Sequence, residues 1–306
     1  MSKKIRIGTR ESQLAVWQAN HVKFLLHQQN IESELVRIKS DGDIDLTTPL
    51  YAMGVQGIFT RSLDIALLNR DIDIAVHSMK DVPVKLPVGL TEAAVLERDN
   101  PFDLLVPNPG NLSFRPESHL PAIVASSSLR RKAQWLYRFP EDRIEPIRGN
   151  VNSRLEKLNA SKWDAAIFAA AGLQRIGQRP VNSIELDWMI PAPAQGAILV
   201  VCHEKDEDIL SLCQKINHPQ SSFCVKIERE FLSTLLGGCS TPIGALAEIE
   251  GEEVFFRGNI LDPEGRKMFS IEKRISTELA SSIGISAAHE LRASGAEELL
   301  ENKSHV

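Results

Sequence analysis

Short apolar runs alternate with amphipathic segments over the first two thirds of the chain, the pattern of α/β units. Ile5-Arg6-Ile7-Gly8 reads as a strand, and Ser12 after it as the N-cap of a helix with Leu14, Trp17, His21 and Leu25 on one face. Leu35 to Ile38 gives the next strand, Ile58 to Asn69 a helix, and Ile72 to Val76 a buried strand. Between them, residues 40–57 carry Gly42, Pro49, Gly54 and Gly57 with few periodic apolar positions, which suits either a lid or a plain surface loop. A second α/β set starts near residue 103, with strands at Ala122–Ala125 and Ala165–Phe168 and a helix over Leu129–Arg138. The apolar run Ala197–Val201 is expected to return the chain to the first sheet.

Pro191-Ala192-Pro193 has the composition of a hinge and Asn217-His218-Pro219 that of a boundary. Beyond it the pattern changes to a helix (Ser222–Leu236), strand-like runs near Ala245–Ile249, Val254–Ile260 and Met268–Ile275, and a last helix. Strands in series flanked by helices predict a small α+β domain. There is no repeat at solenoid periods and no low-complexity tract.

Composition narrows the class. With 43% hydrophobic and 25% charged residues in 306, the chain is an ordinary globular protein of two or three domains. No apolar stretch is long enough to span a bilayer, and Met1 to Gly8 lacks the apolar core of a targeting segment. Cys202, Cys213, Cys224 and Cys239 are scattered, with no CxxC pair and no histidine spaced to complete a zinc site, so a reduced, cytoplasmic protein is expected. The net charge of −5 argues against a nucleic-acid partner and makes any basic site a local one.

Local basic sites are present. Ser126-Ser127-Ser128-Leu129-Arg130-Arg131 places hydroxyls at a strand end and two arginines at a helix start, where free N–H groups and the positive dipole end favour anions. Arg148 and Arg154 in Arg148-Gly149-Asn150-Val151-Asn152-Ser153-Arg154 repeat the theme, and Arg10 in Thr9-Arg10-Glu11-Ser12 ends the first strand. Guanidinium forks at several α/β mouths predict a cleft for a ligand with several negative groups. No GxxxxGK[ST] loop or strand-following GxGxxG supports a nucleotide, and dispersed arginines suit several carboxylates better than one phosphate. Lys80-Asp81 follows the Ile72–Val76 strand in His77-Ser78-Met79-Lys80-Asp81-Val82-Pro83, at the end where open α/β sheets bind ligands. Asp81 is either a carboxylate that stabilises a developing cation or relays a proton, or a turn residue paired with Lys80. In Gly237-Gly238-Cys239-Ser240-Thr241-Pro242 the double glycine leaves room beside the thiol, which suits a group that must reach something bulky or a plain turn.

Together these segments resemble the porphobilinogen deaminase family nearly end to end. The resemblance is carried by Ile7-Gly8-Thr9-Arg10-Glu11-Ser12, His77 to Pro83, Ser127 to Arg131, Arg148 to Leu155, Ala169-Ala170-Ala171-Gly172-Leu173, Pro191-Ala192-Pro193 with Gln195-Gly196-Ala197, and Gly237-Gly238-Cys239. It implies two α/β domains like those of solute-binding proteins with a cleft between them, and a third domain presenting a cysteine on a loop. The division expected is 1–98 with 197–216, then 99–196, then 217–306.

The activity implied is head-to-tail joining of four porphobilinogens, with loss of ammonia, on a dipyrromethane cofactor bound by a thioether to Cys239. By this match Lys80, Ser126, Ser128, Arg130, Arg131, Arg148 and Arg154 hold cofactor carboxylates. Arg10 and Ser12, with Arg148 and Arg154, seat the substrate, and Asp81 is the catalytic carboxylate. No metal, membrane or nucleic acid is implied, and the protein is expected to be a monomer. The chain departs from the family pattern at Gln56, where lysine is common, at Ala125-Ser126 in place of Gly-Thr, and at Ala194 in place of a hinge glycine. Two other readings remain at this point. One is a non-catalytic two-domain binder of an organic polyanion. The other is a thiol-dependent enzyme, for which no histidine partner is recognisable.

Overall fold

The computed structural model describes residues 4–39, 60–111, 114–117, 121–235 and 242–301. The expected lid at 40–57, with Gln56, and the Cys239 turn lie outside the described residues. In chain order the first elements are β1 (Ile5–Thr9), α1 (Gln13–Gln28), β2 (Ser33–Arg37), α2 (Arg61–Leu68), β3 (Ile74–Ser78) and β4 (Leu90–Val95). The chain then runs through β5 (Asp103–Pro107), β6 (Ile123–Ala125), α3 (Leu129–Arg138), β7 (Arg143–Glu145), α4 (Val151–Ala160), β8 (Ala165–Ala169), α5 (Ala170–Arg175) and β9 (Ile184–Leu186). It closes with β10 (Ile198–His203), α6 (Glu207–Gln214), α7 (Pro219–Thr234), β11 (Ile243–Glu250), β12 (Glu253–Leu261), β13 (Met268–Ser276) and α8 (Ile283–Leu291).

Two five-stranded sheets share one plan. The first has the order β2-β1-β3-β10-β4 and the second β7-β6-β8-β5-β9. In each, three parallel strands are followed by one antiparallel strand contributed from the far side of the other sheet's segment: β10 beside β3, and β5 beside β8. The run at 197–201 therefore does return to the first sheet. Apolar cores cover both faces of both sheets, which is why β3, β5 and β10 read as continuous apolar runs rather than alternating ones. The third sheet, β11-β12-β13, is an antiparallel meander packed with α7 and α8 around Phe231 and Phe256, whose rings meet at 5.2 Å.

Local chemistry sets the helix starts. The side chains of Ser12, Ser128, Asn150 and Asp206 accept from the third backbone N–H beyond each, and His218 caps α7 with Pro219 at its first position. One expectation needs correcting. The buried face of α1 is Gln18, Ala19, Val22 and Leu26, while Trp17 is exposed and Leu14 and His21 are half-buried. Small Ala19 lets the helix lie close on the sheet, and the Leu14 side faces Gly172 of α5 instead. Strand β3 also begins two residues later than the apolar run suggested, so His77 and Ser78 belong to it.

The two sheets are joined by crossings that run side by side. Leu96 N donates to Ile198 O at 3.0 Å and Asp99 N to Gly196 O at 3.2 Å. Gly196 has φ +88°, and a Cβ there would stand 2.4 Å from Asp99 O, so no other residue fits. Ala194, where the family pattern has glycine, sits at φ 62° and is fully buried, a conformation that costs a residue with a Cβ about 1 kcal/mol. Its N–H donates to Glu228 Oε2 at 2.6 Å.

Glu228, on α7, has no exposed surface and ties the third unit to this junction. It accepts from Arg98 Nη1 at 2.6 Å, Arg98 Nη2 at 3.2 Å and Ala247 N at 2.8 Å as well as from Ala194. Burial raises its carboxyl above the ordinary value, opposed by Arg98 and the two amides. Glu228→Gln puts an amide donor against Arg98 or a backbone N–H. It is expected to lower the unfolding free energy by about 3 kcal/mol in urea denaturation, in the range for breaking a buried pair on one side. A loss below about 1 kcal/mol would show that the junction does not depend on this carboxylate.

Candidate active site

The site forms at the carboxyl ends of the parallel strands. Thr9 ends β1 and Ser78 ends β3, and the single-turn segment Met79–Asp81 follows, closed by Val82 N to Met79 O at 3.1 Å. Across from it, Ala125 ends β6 before Ser126 and the start of α3, and β7 leads to Arg148 and the start of α4. Sequence-adjacent elements thus deliver Lys80 and Asp81 from the first sheet and the arginines from the second.

These side chains share one electrostatic neighbourhood. Lys80 feels Asp81, Arg131, Asp103 and Arg130, and Arg154 feels Arg131, Asp81 and Arg148. Burial pushes the Lys80 ammonium down to about 8, with Arg131 and Arg130 adding to the effect and Asp81 and Asp103 opposing it. Burial, Arg131 and Arg148 bring Arg154 to about 10 against the pull of Asp81. Arg154 donates Nε to Gly149 O at 2.7 Å and has no carboxylate within ion-pair distance among the described residues. Lys80 likewise has only an uncharged hydrogen-bond partner there, Gln195 Oε1, at 3.1 Å. Among the described residues, Lys80, Arg130, Arg131 and Arg154 share this field with two carboxylates, Asp81 and Asp103.

Sequence reasoning missed Asp103 and the part it plays. This residue opens β5 with no exposed surface and accepts from Arg130 Nη2 at 2.8 Å and from Arg131 Nη2 at 2.7 Å and Nε at 3.1 Å. Burial alone would raise its carboxyl, but the two guanidiniums outweigh that and hold it well below the usual carboxylate range. Gln195 Nε2 adds a fourth hydrogen bond at 2.8 Å, and the same side chain's Oε1 accepts from Lys80. Arg130 Nη1 also reaches Ile190 O and Arg131 Nη1 reaches Ile167 O, at 2.8 and 2.9 Å. A charged residue opening the otherwise apolar Asp103-Leu104-Leu105-Val106 was the available signal. Arg130 and Arg131, expected only as ligand contacts, are therefore also bound into the protein.

The remaining expected residues fall in three groups. Ser12 and Ser128 use their hydroxyls as helix caps, and buried Ser126 accepts from Ser128 N at 3.3 Å. Arg10 lies at the end of β1 close enough to His77 to lower it, together with the larger effect of burial, to about 4. Cys239 lies outside the described residues. Cys202, Cys213 and Cys224 are buried, with thiols pushed up by burial to about 11, 12 and 11, so none of the three is a ready thiolate. Among the described residues no cluster suited to a metal ion occurs, and no helix is long and apolar enough to cross a membrane.

Solved structures with partial similarity include the VFT2 domain of Bordetella pertussis BvgS, at 13% identity and TM-score 0.41 over 69% of this chain and 85% of that one. The methionine-binding protein MetQ matches at 14% and 0.42, over 70% and 88%. The GluR0 ligand-binding core from Nostoc punctiforme, in complex with L-glutamate, matches at 12% and 0.36, over 69% and 91%. The sequence itself is more specific. Residues 5–211 match the porphobilinogen deaminase dipyrromethane cofactor-binding domain and residues 222–293 the porphobilinogen deaminase C-terminal domain, so the chain belongs to the porphobilinogen deaminase family.

Proposed function

We propose that the family's transferase reaction, tetrapolymerisation of porphobilinogen into hydroxymethylbilane, runs in this chain on a dipyrromethane held by Cys239, with Asp81 as the catalytic carboxylate. The observation that carries this assignment of roles is that Lys80 and Arg154 share the field of Asp81, yet neither has a carboxylate within ion-pair distance among the described residues. Each pyrrole of substrate and cofactor bears two carboxylates, and this donor set fits them. Arg148 and Arg154 present guanidiniums to acetate and propionate groups, with Lys80 beside them as a point charge. Arg130 and Arg131 contribute mainly through the field they share with Asp103, backed by the N-terminus of α3. Ser126 and Ser128 shape the loop before that helix, and Arg10 with Ser12 frames the opposite wall for incoming substrate.

A bound dipyrromethane would supply the terminal pyrrole for the first addition and the ring added last would serve for the next, each addition exchanging the substrate's C–N bond for a C–C bond while ammonia leaves with the proton lost from the acceptor ring. Positive charge develops on pyrrole nitrogens along the way. The Asp81 carboxylate, fixed at the end of β3, accepts from such N–H groups and stabilises the charge in place. Being two-faced, it also serves to relay the departing proton. The reading divides the chain into three units: 1–98 with 197–216 carrying Asp81, 99–196 carrying the arginines, and 217–306 carrying Cys239. A cytoplasmic monomer without nucleic-acid partners completes the proposal, in keeping with the net charge of −5.

Denaturing intact-mass measurement tests the anchor. The purified protein is expected to exceed its sequence mass by two pyrrole units on the Cys239 peptide and to gain single units with porphobilinogen, and Cys239→Ser to fold, stay unmodified and show no activity. Normal turnover by Cys239→Ser would remove the anchor, and a protein that gains no mass from porphobilinogen would favour a polyanion-binding role instead. Asp81→Ala is expected to keep the two-unit adduct while kcat drops about 100-fold or more, the scale of a lost charge-stabilising or proton-relaying group. A rate within a few-fold of the unaltered protein would take Asp81 out of the chemistry.

A further inference from the structure

The turn that carries Asp81 is short and has a single internal hydrogen bond, so something else must hold it. Arg229, on α7 of the C-terminal unit, lies beneath it and is 6% exposed. Its Nη1 donates to Val82 O at 3.0 Å and, at the longer distance of 3.5 Å, to Met79 O. Its Nη2 donates to Pro83 O at 2.8 Å and Val84 O at 3.3 Å, with Glu92 Oε1 3.7 Å away. One planar guanidinium thus bridges carbonyls on both sides of Asp81. Val225, one helical turn earlier, is fully buried in the same core as Met79 and Val82. A buried carbonyl needs a donor, but a neutral amide would serve each one singly. A rigid fork that joins several at fixed spacing sets the shape of the segment.

We infer that Arg229 is a positioning residue for the reaction: it fixes the Met79–Val84 segment to helix α7 and so holds the Asp81 carboxylate where charge develops. Arg229 itself touches no reacting atom. The inference rests on Asp81 being the catalytic carboxylate. Displacing such a group by about 1 Å suffices for a large loss of rate while substrate contacts elsewhere persist. The effect of losing the fork therefore falls on kcat and not on KM.

The test uses holoenzyme of Arg229→Gln and Arg229→Lys, each checked by intact mass for the two-pyrrole adduct and by thermal melting, with Asp81→Ala assayed in parallel. The expected result is an intact adduct, kcat lowered about 10- to 100-fold in Arg229→Gln with KM within twofold, and kcat partly restored in Arg229→Lys, which keeps a charged donor. Unchanged kcat in an adduct-bearing Arg229→Gln overturns the proposal, as does a loss confined to KM. If neither variant folds or retains the adduct, Arg229 serves the fold and the positioning role falls. If Asp81→Ala turns over normally, the assignment of Asp81 fails first, and a slow Arg229→Gln would then report on some other group.

Discussion

Asp103 is the constraint on which the cleft depends. Two adjacent arginines at the start of a helix, both more than nine-tenths buried, repel each other and lose hydration, and each would be costly alone. The carboxylate at the head of β5 takes one guanidinium on each oxygen, and Gln195 fills a remaining position. With its far end on Lys80, Gln195 carries the arrangement from the arginine side of the cleft to the Asp81 side. The positions of the cationic groups in both walls are thus coupled through one buried charge. Removing it would leave two uncompensated guanidiniums in the interior rather than merely breaking a contact.

The cleft's electrostatics run against those of the whole molecule. A chain of net charge −5 brings Lys80 and Arg154 together where no carboxylate among the described residues pairs with either, and it caps the same place with helix N-termini. A polycarboxylate is repelled by the body and drawn to one opening, which favours productive encounters. Burial and the neighbouring guanidiniums bring Lys80 to about 8 against the pull of Asp81 and Asp103, and no carboxylate among the described residues lies within ion-pair distance of its ammonium.

Much of this was legible in the sequence. The helix over Leu129–Arg138 coincides with its predicted span, because Ser128 caps it and an apolar strand precedes it. The three strands of the third sheet fall within a few residues of their apolar runs, and the family itself followed from motifs in order. What escaped depends on distant partners. Nothing near Asp103 in the chain announces Arg130, and nothing near Arg229 announces the carbonyls of residues 82–84. The face of α1 was misjudged because two surfaces compete for it. Periodicity finds the apolar stripe, but only packing tells whether the sheet or the neighbouring unit covers it.

The paired crossings at 96–102 and 187–197 have a mechanical consequence. Two strands of covalent chain, hydrogen-bonded to each other at Leu96–Ile198 and Asp99–Gly196, behave like a door on two pins. Paired crossings of this kind resist sliding and twisting between the two sheets more than rotation about the line of the junction. Space for a lengthening product is therefore gained at least cost by that rotation, or from segments outside the two sheets.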